Sequence, residues 1–466
     1  MEPRRRDTRA ESLSSSGQMT GGQATGRAIV IGPYVRKQAA RRTAAARADQ
    51  NERAPAARLE EAVGLALAIN LDVVQAGLVP LNVIRPATYI GTGKVDEIAG
   101  LVKSLEAGIV IADCALSPVQ QRNLEKAWGA KVLDRTGLIL EIFGERAHTK
   151  EGSLQVELAH LTYQRSRLVK SWTHLERQRG GFGFLGGPGE SQLEIDRRLI
   201  GERIARIEAE LEKVKKRRKL HRDSRARVPY PIAALVGYTN AGKSTLFNRV
   251  TRASVMEADM LFATLDPTLR AVQLPGGMKI ILSDTVGFIS DLPTMLVAAF
   301  RATLEEVIEA DVVLHVRDVS HEDTEAQSHD VEEVLRALGI DPDDEDRLIE
   351  VWNKIDRLDA EGRTRLQNLA ERQPSGRRPV LVSAATGEGT EALIAAIEAR
   401  LGRRRVVLDL VVDPADGAGV SWLHRHTEVI EKALDEDGKL AMTVRVDPDK
   451  AGVVRAKFPA LPAQAN

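Results

Sequence analysis

The 466-residue chain has a single cysteine, only 4% aromatic residues and a formal net charge of zero. Cys114 cannot form an internal disulfide, which excludes a cross-linked secreted scaffold and indicates a reducing compartment. Long apolar runs are also absent, because Asp, Lys or Gly interrupts each candidate before the roughly 18 residues of a membrane span. We therefore expect a cytoplasmic monomer of about three domains with no membrane span.

The N-terminal region lacks the apolar periodicity of a folded segment. Residues 1–26 are rich in Arg, Ser and Gly and contain no apolar core of a secretory signal. Residues 35–57 consist largely of Arg and Ala. Such segments bury too little apolar surface to offset the entropy of ordering, so we predict disorder in both and little function there.

Strand-like and helix-like segments alternate through most of the remaining chain, which predicts a multidomain α/β protein with parallel sheets. An N-terminal α/β domain is expected over residues 27–150, a doubly wound domain over 228–403 and a small α/β module over 404–466. In the first domain the predicted strands are 28–31, 81–90, 109–113 and 131–134, and the predicted helices begin at Leu59, Lys94 and Ser117. In the last module we predict strands 406–412 and 440–446 around a helix 420–434.

Residues 151–227 are charged, nearly free of proline and carry Leu and Ile at helical spacing. This pattern predicts a hairpin of two long helices, 153–178 and 192–227, joined by a glycine-rich tip at 180–189. Residues 197–227 contain 13 Lys or Arg and 5 Asp or Glu, a local net charge of 13 − 5 = +8. Such a helix is either a solvated charged face or a surface that contacts nucleic-acid phosphates.

A phosphate-binding motif follows the apolar strand 232–236. Its residues match G-x-x-x-x-G-K-[ST] and are Gly237, Tyr238, Thr239, Asn240, Ala241, Gly242, Lys243 and Ser244. Glycine lets backbone N–H groups close around an anion, and the following helix points its positive end at the phosphates. We expect Lys243 to reach the β and γ phosphates and the Ser244 hydroxyl to bind Mg²⁺.

Three further motifs lie at the ends of later predicted strands. They are Asp284, Thr285, Val286 and Gly287; Asn353, Lys354, Ile355 and Asp356; and Ser383, Ala384 and Ala385. Asp284 can hold the Mg²⁺ shell through water, and the Gly287 N–H can sense the γ phosphate. The Asp356 carboxylate can accept two hydrogen bonds from guanine, whereas adenine would leave it unpaired. Backbone N–H groups of the last motif can meet the guanine O6, so together the motifs predict a GTP site.

The loop before Asp284 contains Phe262, Ala263, Thr264, Leu265 and Asp266, which we also expect at the nucleotide. Thr264 is the preferred second Mg²⁺ ligand and Thr268 the fallback.

Two positions bear on catalysis. Many GTPases place a water-orienting glutamine where this chain has Phe288, so we predict slow intrinsic hydrolysis that a partner accelerates. Asn240 is either a K⁺ ligand that replaces an arginine finger or a simple turn residue.

These motifs and their flanking segments together resemble the HflX family of ribosome-associated GTPases. The resemblance runs from about residue 59 to the end. Its signature segments are 89–94 (YIGTGK), 116–118 (LSP), 121–124 (QRNL), 134–140 (DRTGLIL), 151–158 (EGSLQVEL), 172–178 (WTHLERQ), 187–190 (GPGE) and 193–198 (LEIDRR).

The resemblance implies a GTPase that binds the large (50S) ribosomal subunit and its rRNA and splits or rescues 70S ribosomes, often under stress. It also implies a hairpin that points toward the peptidyl-transferase centre, and a location at ribosomes or peripherally at membranes. At the tip this chain has Leu185-Gly186 where relatives often carry Arg, so stacking by Phe182 or Phe184 is an alternative to a phosphate contact.

Other interpretations of the sequence remain. A P-loop kinase or ATPase is disfavoured by Asp356, and a GTP-regulated rRNA-binding or ribosome-assembly protein would show little hydrolysis. Residues 91–94 (GTGK) are too short for a second phosphate loop and fit a turn before a helix, although the family resemblance leaves ATP binding there open. The pattern His424-Arg425-His426 fits a surface better than a zinc site.

Overall fold

The computed structural model describes residues 26–35, 53–178, 192–225, 230–252, 262, 267–291, 304–403, 406–434, 438–446 and 448–458. The chain forms two compact units. Of the described residues, the first contains 26–35, 54–139 and 169–178. The second contains Arg53, residues 140–168 and the described residues from 192 onward.

A four-stranded parallel sheet organises the first unit, with strand order β2-β1-β3-β4. Its elements are β1 (Arg27–Val35), α1 (Pro55–Ala68), β2 (Asp72–Leu81), α2 (Thr92–Ser104), β3 (Ile109–Ala112), α3 (Pro118–Trp128) and β4 (Lys131–Asp134). The helix predicted at Ser117 is confirmed: Ser117 and Gln120 form a capping box, and Gly129 ends the helix in a left-handed conformation.

Two predictions for this unit are wrong. The strand expected at 81–90 lies earlier, at Asp72–Leu81, and Arg85 and Tyr89 pair across a tight turn instead. Pro86 cannot donate to a ladder, whereas Pro80 is tolerated because β2 is an edge strand. The prediction of disorder over 35–57 is wrong at its C-terminal end, because α1 begins at Pro55. Proline is well suited to the first position of a helix. Residues 36–52 lie outside the described residues.

Two long helices follow α4 (Arg135–Arg146), namely α5 (Lys150–Gln178) and α6 (Gln192–Arg225), as the hairpin prediction expected. Arg203 of α6 donates from Nε to Glu157 of α5 at 2.7 Å, so the helices lie side by side there. Ile204, Ile207 and Leu211 are buried at helical spacing, which leaves basic side chains on the opposite face. The predicted glycine tip, with Phe182, Phe184, Leu185 and Gly186, lies outside the described residues.

A six-stranded sheet with strand order β10-β9-β8-β5-β7-β6 forms the centre of the second unit. Its elements are β5 (Ile232–Gly237), α7 (Lys243–Thr251), β6 (Thr268–Gln273), β7 (Lys279–Asp284), α8 (Glu305–Ile308), β8 (Val312–Asp318), α9 (Thr324–Ala337), β9 (Leu348–Asn353), α10 (Ala360–Glu371), β10 (Val380–Leu381) and α11 (Thr390–Arg403). Only β6 runs antiparallel within this sheet. The carboxyl ends of β5, β7, β9 and β10 therefore meet at one edge, where doubly wound sheets bind ligands.

The C-terminal part is a three-stranded antiparallel sheet of order β11-β13-β12. Its elements are β11 (Val406–Val412), α12 (Gly417–His426), β12 (Glu428–Leu434), β13 (Leu440–Val446) and α13 (Pro448–Lys457). The helix predicted at 420–434 is wrong beyond His426, because the following residues pair with β13 and Val429 packs on its buried face. No sequence pattern predicted α13. The overall class, a multidomain α/β protein with parallel sheets, is confirmed.

Candidate nucleotide-binding site

The phosphate loop has backbone conformations that require glycine at two positions. Gly237 has φ +153° and Gly242 has φ +91°. An added Cβ would overlap the Val316 carbonyl oxygen at Gly237 and the Asn353 side-chain nitrogen at Gly242. Asn240, between them, also has a positive φ of 58° and is exposed. The loop therefore closes tightly between β5 and α7 while its tip faces solvent.

Lys243 is buried inside this loop. Its Nζ donates to the carbonyl oxygens of Tyr238, at 2.8 Å, and Gly237, at 3.2 Å. Burial lowers the pKa of Lys243 to about 8; Asp284 opposes this shift and Lys354 adds to it. A phosphate would be attracted more strongly to this buried ammonium group than to an exposed one, because the anion supplies the counter-charge that burial has removed from contact with water.

A hydroxyl and a carboxylate meet beside Lys243. The Ser244 hydroxyl donates to Asp284 Oδ2 at 2.7 Å, and Asp284 is fully buried at the end of β7. Hard oxygen donors of this kind suit Mg²⁺, so the donor set fits the ion that the sequence predicted. Thr268 lies opposite Asp284 in the β6–β7 register. Ala263, Thr264, Leu265 and Asp266 lie outside the described residues.

The segment after β7 is attached to the phosphate loop. Phe288 donates its N–H to Gly237 O at 3.1 Å, and Thr239 donates its N–H to Phe288 O at 2.8 Å. The Phe288 side chain is 1% exposed, so it belongs to the core and cannot hydrogen-bond a water. A Cβ on Gly287 would lie 2.9 Å from the Thr239 Cα and 3.1 Å from the Lys243 Nζ. Gly287 therefore lies directly against the predicted phosphate position.

Asn353 joins two of the predicted motifs. Its Nδ2 donates to Ala241 O of the phosphate loop at 2.7 Å, and its Oδ1 accepts from the Ala384 N–H at 2.9 Å. The side chain is completely buried. Its amide fixes the distance between the loops after β5 and β10, so phosphate and base recognition share one rigid frame.

The base-side carboxylate is also held in place. Ser383 donates from its hydroxyl to Asp356 Oδ1 at 2.6 Å and accepts from the Thr386 N–H at 3.1 Å. Lys354, with φ +68°, pairs with Asp318 Oδ2 at 2.7 Å. Ile355 is buried beneath this turn. The second carboxylate oxygen of Asp356 is the natural acceptor for a ligand on the open side.

Three contacting residues escaped the sequence analysis. Arg249 of α7 donates to the backbone oxygens of Ala384, at 3.2 Å, and Ala385, which clamps the loop after β10. Asp318 ends β8 and holds Lys354. Arg53 contacts Tyr238 from a segment predicted to be disordered. Of the three, only Arg249 had a sequence signal, since it lies on the helix that the phosphate motif opens.

Phe262 differs from the other predicted nucleotide contacts. Its side chain is 2% exposed and packs edge-on against Phe143 of α4, with ring centroids 4.7 Å apart. It has a positive φ of 57°, which is rare for a bulky residue. The contact buries the aromatic ring at the start of the predicted Mg²⁺-binding loop.

Four family models match the chain in succession. Their descriptions and matched residues are GTP-binding GTPase N-terminal, 56–144; GTP-binding GTPase Middle Region, 146–225; 50S ribosome-binding GTPase, 232–354; and HflX C-terminal domain, 368–465.

Individual proteins are similar over most of the chain. The protein named GTPase HflX from Magnetococcus marinus is 50% identical, covering 81% of this chain and 86% of the relative. GTPase HflX from Escherichia coli K12 is 45% identical, covering 80% and 88%. A crystal structure of a GTP-binding protein from Sulfolobus solfataricus in complex with GDP is 25% identical, with a TM-score of 0.42 and coverage of 80% and 98%.

The phosphate loop, the hydroxyl–carboxylate pair and the base-side loops at one edge of a mostly parallel sheet define a P-loop GTPase. Within that class, the chain belongs to the HflX family of GTPases. It accordingly binds guanine nucleotides and hydrolyses GTP to GDP and phosphate. Among the described helices, none has the length and apolar character needed to cross a membrane.

Proposed function

We propose that this protein is a GTP-dependent switch that binds the large (50S) ribosomal subunit and splits or rescues 70S ribosomes. One observation carries the switch: the segment with Gly287 is bonded to the phosphate loop through Phe288 and lies against Thr239 and Lys243, where a γ phosphate would contact it. The ribosomal target is supported by the family model described as a 50S ribosome-binding GTPase at 232–354 and by the basic charge of α6.

The proposed nucleotide contacts follow the motifs. Phosphates meet the N–H groups of residues 237–244 and the Lys243 ammonium, and Asp356 and the loop 383–385 select guanine. The Gly287 N–H, held against Thr239, reports whether a γ phosphate is present. The sequence motif also assigns the segment 262–266 to the site, with Thr264 as the proposed second ligand of the ion.

Ser244 and Asp284 would hold Mg²⁺, directly and through water respectively. Once bound, the ion supplies positive charge that offsets the charge of the phosphate oxygens. The chain's own contribution is to hold these two oxygen groups 2.7 Å apart, with Asp284 fully buried and Ser244 at the start of α7. Preorganisation of this kind lowers the cost of assembling the site.

Hydrolysis by the isolated protein should be slow. The Phe288 side chain is buried and offers no hydrogen bond to an attacking water. We expect ribosomes to accelerate turnover by ordering the loops around the γ phosphate. The exposed Asn240 at the tip of the phosphate loop is the proposed K⁺ ligand, and equal GTPase rates in KCl and NaCl would contradict that role.

Sedimentation of purified 70S and 50S particles with the protein and GTP, GDP or a non-hydrolysable GTP analogue tests the ribosomal part. In the sample with the non-hydrolysable analogue, we expect the protein to pellet with 50S subunits. We also expect 70S particles to separate into subunits there. Binding without separation and without stimulated hydrolysis would favour the alternative, a GTP-regulated rRNA-binding or assembly protein. No nucleotide-dependent binding would contradict both.

Reversing the charge of basic side chains on α6 tests whether this helix contacts rRNA phosphates. Arg206, Lys213 and Lys216 are exposed on this helix. Replacing all three with Glu should weaken 50S binding and make it less dependent on salt. Each lost phosphate contact should reduce the steepness of the plot of log binding constant against log salt concentration by roughly 0.7 to 0.9. Glu208→Gln and Glu212→Gln on the same helix serve as the matched control. An unchanged salt slope in the triple variant would assign α6 to a merely solvated face.

A further inference from the structure

Arg53 lies outside every nucleotide-binding motif, yet its side chain is buried against the phosphate loop. Its guanidinium is 4.7 Å from the centroid of the Tyr238 ring and donates to the Tyr238 hydroxyl at 2.6 Å. The other end of the guanidinium donates to Asp330 of α9, also at 2.6 Å. Only 7% of the Arg53 side chain is exposed. A planar guanidinium can hold both partners at once, which a lysine ammonium cannot do in the same geometry.

Tyr238 connects this arginine to the segment that follows β7. The tyrosine is 4% exposed and is the second residue of the phosphate loop. Its hydroxyl oxygen also accepts the Ser290 N–H at 2.7 Å. Arg53 and Ser290 therefore use the two lone pairs of one phenol oxygen, so the position of the ring governs both bonds.

The segment 284–291 is tied to the phosphate loop by several hydrogen bonds among the described residues. Two are backbone bonds, from Phe288 N–H to Gly237 O at 3.1 Å and from Thr239 N–H to Phe288 O at 2.8 Å. Two others involve side chains: the Ser244 hydroxyl donates to Asp284 Oδ2 at 2.7 Å, and the Ser290 N–H donates to the Tyr238 hydroxyl at 2.7 Å. Since Arg53 stacks on the Tyr238 ring and bonds its hydroxyl, Arg53 can tighten or loosen the segment that contains Gly287.

We propose that Arg53 is a positioning residue that sets the preference of the site for GTP over GDP. By fixing Tyr238, Arg53 holds the segment 287–290 in the arrangement that contacts a γ phosphate. Less conformational entropy of this segment is then lost when GTP binds. GDP has no γ phosphate and gains nothing from this arrangement. The inference rests on the proposed γ-phosphate contact of Gly287.

The test compares the affinities of GDP and of a non-hydrolysable GTP analogue by calorimetry. In Arg53→Ala we expect GDP affinity within twofold of wild type and analogue affinity about three- to tenfold weaker. Tyr238→Phe keeps the ring but removes the shared oxygen, and should lower the analogue-to-GDP ratio by the same factor. Arg53→Ala combined with Tyr238→Phe should lower it no further, because both changes break one linkage.

Hydrogen exchange provides the second readout. The Ser290 amide should exchange faster in Arg53→Ala in the presence of the analogue, while exchange in α7 stays as in wild type. Arg377→Ala removes another arginine of the same unit, one that pairs with Asp343 and Glu345 at the surface, and should change neither ratio nor exchange. Should Arg53→Ala fail to fold, Asp330→Asn releases the same guanidinium and should give a smaller drop in the ratio.

An unchanged ratio in folded Arg53→Ala, or equal losses for GDP and the analogue, would overturn the inference. Additive effects of the Arg53 and Tyr238 changes would do so as well. If the wild-type protein itself bound both nucleotides without distinction, the proposed switch would fail. That outcome is separate from failure of the Arg53 role, because it appears before any variant is made.

Discussion

The four-stranded parallel sheet and the mostly parallel six-stranded sheet differ in how charged residues at the carboxyl ends of their strands are paired. In the first unit, Asp113 follows β3 and bonds Arg135 at 2.6 Å, and Arg135 also pairs with Glu61. In the second unit, Lys243 bonds two backbone carbonyl oxygens of described residues, and burial lowers its pKa to about 8. Similar folds therefore produce a cluster of mutually paired charges in one case and an anion site in the other.

The same contrast appears between two glycine-lysine sequences. Gly93 has free space around its Cα and a regular backbone, and Lys94 pairs with Glu97 at the surface, 2.7 Å away. This segment opens α2, as the predicted turn before a helix required. Gly242 has a positive φ and no room for a Cβ, and Lys243 is buried. A glycine-lysine pair thus forms a phosphate site only where the backbone conformation around it closes a loop.

Substitution of these two glycines gives the largest expected difference. Gly242→Ala forces a Cβ onto the Asn353 side chain at a strained φ and should abolish detectable GDP binding, a loss of at least about a hundredfold. Gly93→Ala meets no neighbour and should leave binding unchanged while slightly stabilising α2. Calorimetric titration with GDP measures both. Equal effects of the two changes would remove the distinction between the loops.

The paired charges of the first unit predict a stability effect without an effect on nucleotide binding. Arg135→Ala removes the guanidinium that pairs with both Glu61 and Asp113, which should cost about 3 kcal/mol of local stability, since Arg58 still faces Asp113 at 3.6 Å. Hydrogen exchange in α1 and β3 reports this loss.

Arg27→Ala is the control for that prediction, because Arg27 and Glu106 form an exposed pair 3.9 Å apart whose loss should cost at most about 1 kcal/mol. A similar small effect for Arg135→Ala would mean that the buried pairs do not neutralise one another as described.

The buried lysine predicts a pH effect of intermediate size. Lys243 loses its proton near pH 8 when folded and near 10.5 when unfolded, so its destabilising contribution fades as pH rises through this window. Phosphate favours the ammonium form, so binding above pH 8 requires proton uptake, and GDP affinity should fall by up to about tenfold per pH unit.

The comparison protein for this measurement is Lys243→Arg, which stays charged throughout. Other groups titrate in both proteins, so the difference between the two slopes from pH 7 to 9.5 isolates the lysine. Parallel slopes would show that Lys243 is already protonated in the free site.

The sequence predicted those parts of the molecule that depend on local chemistry. The phosphate loop needs glycine at 237 and 242, and Ser117 marks a helix start, so both could be found without knowing the fold. The strand near residue 80 and the strand after His426 were misassigned because their state depends on pairing partners distant in the chain. Arg53 was missed for the same reason, since its polar surroundings in sequence gave no sign of Tyr238 or Asp330.

The most direct test of the central claim, a pocket that selects guanine, is calorimetric titration of wild type and Asp356→Asn with GDP, ADP and xanthosine diphosphate. Wild type should prefer GDP over ADP by at least about a hundredfold, because adenine lacks the two donors that guanine presents to the Asp356 carboxylate. The variant should lose most of its GDP affinity and gain affinity for the xanthine nucleotide, which offers an acceptor where guanine has a donor. Equal binding of ADP and GDP by wild type, or an unchanged GDP preference in Asp356→Asn, would contradict the account.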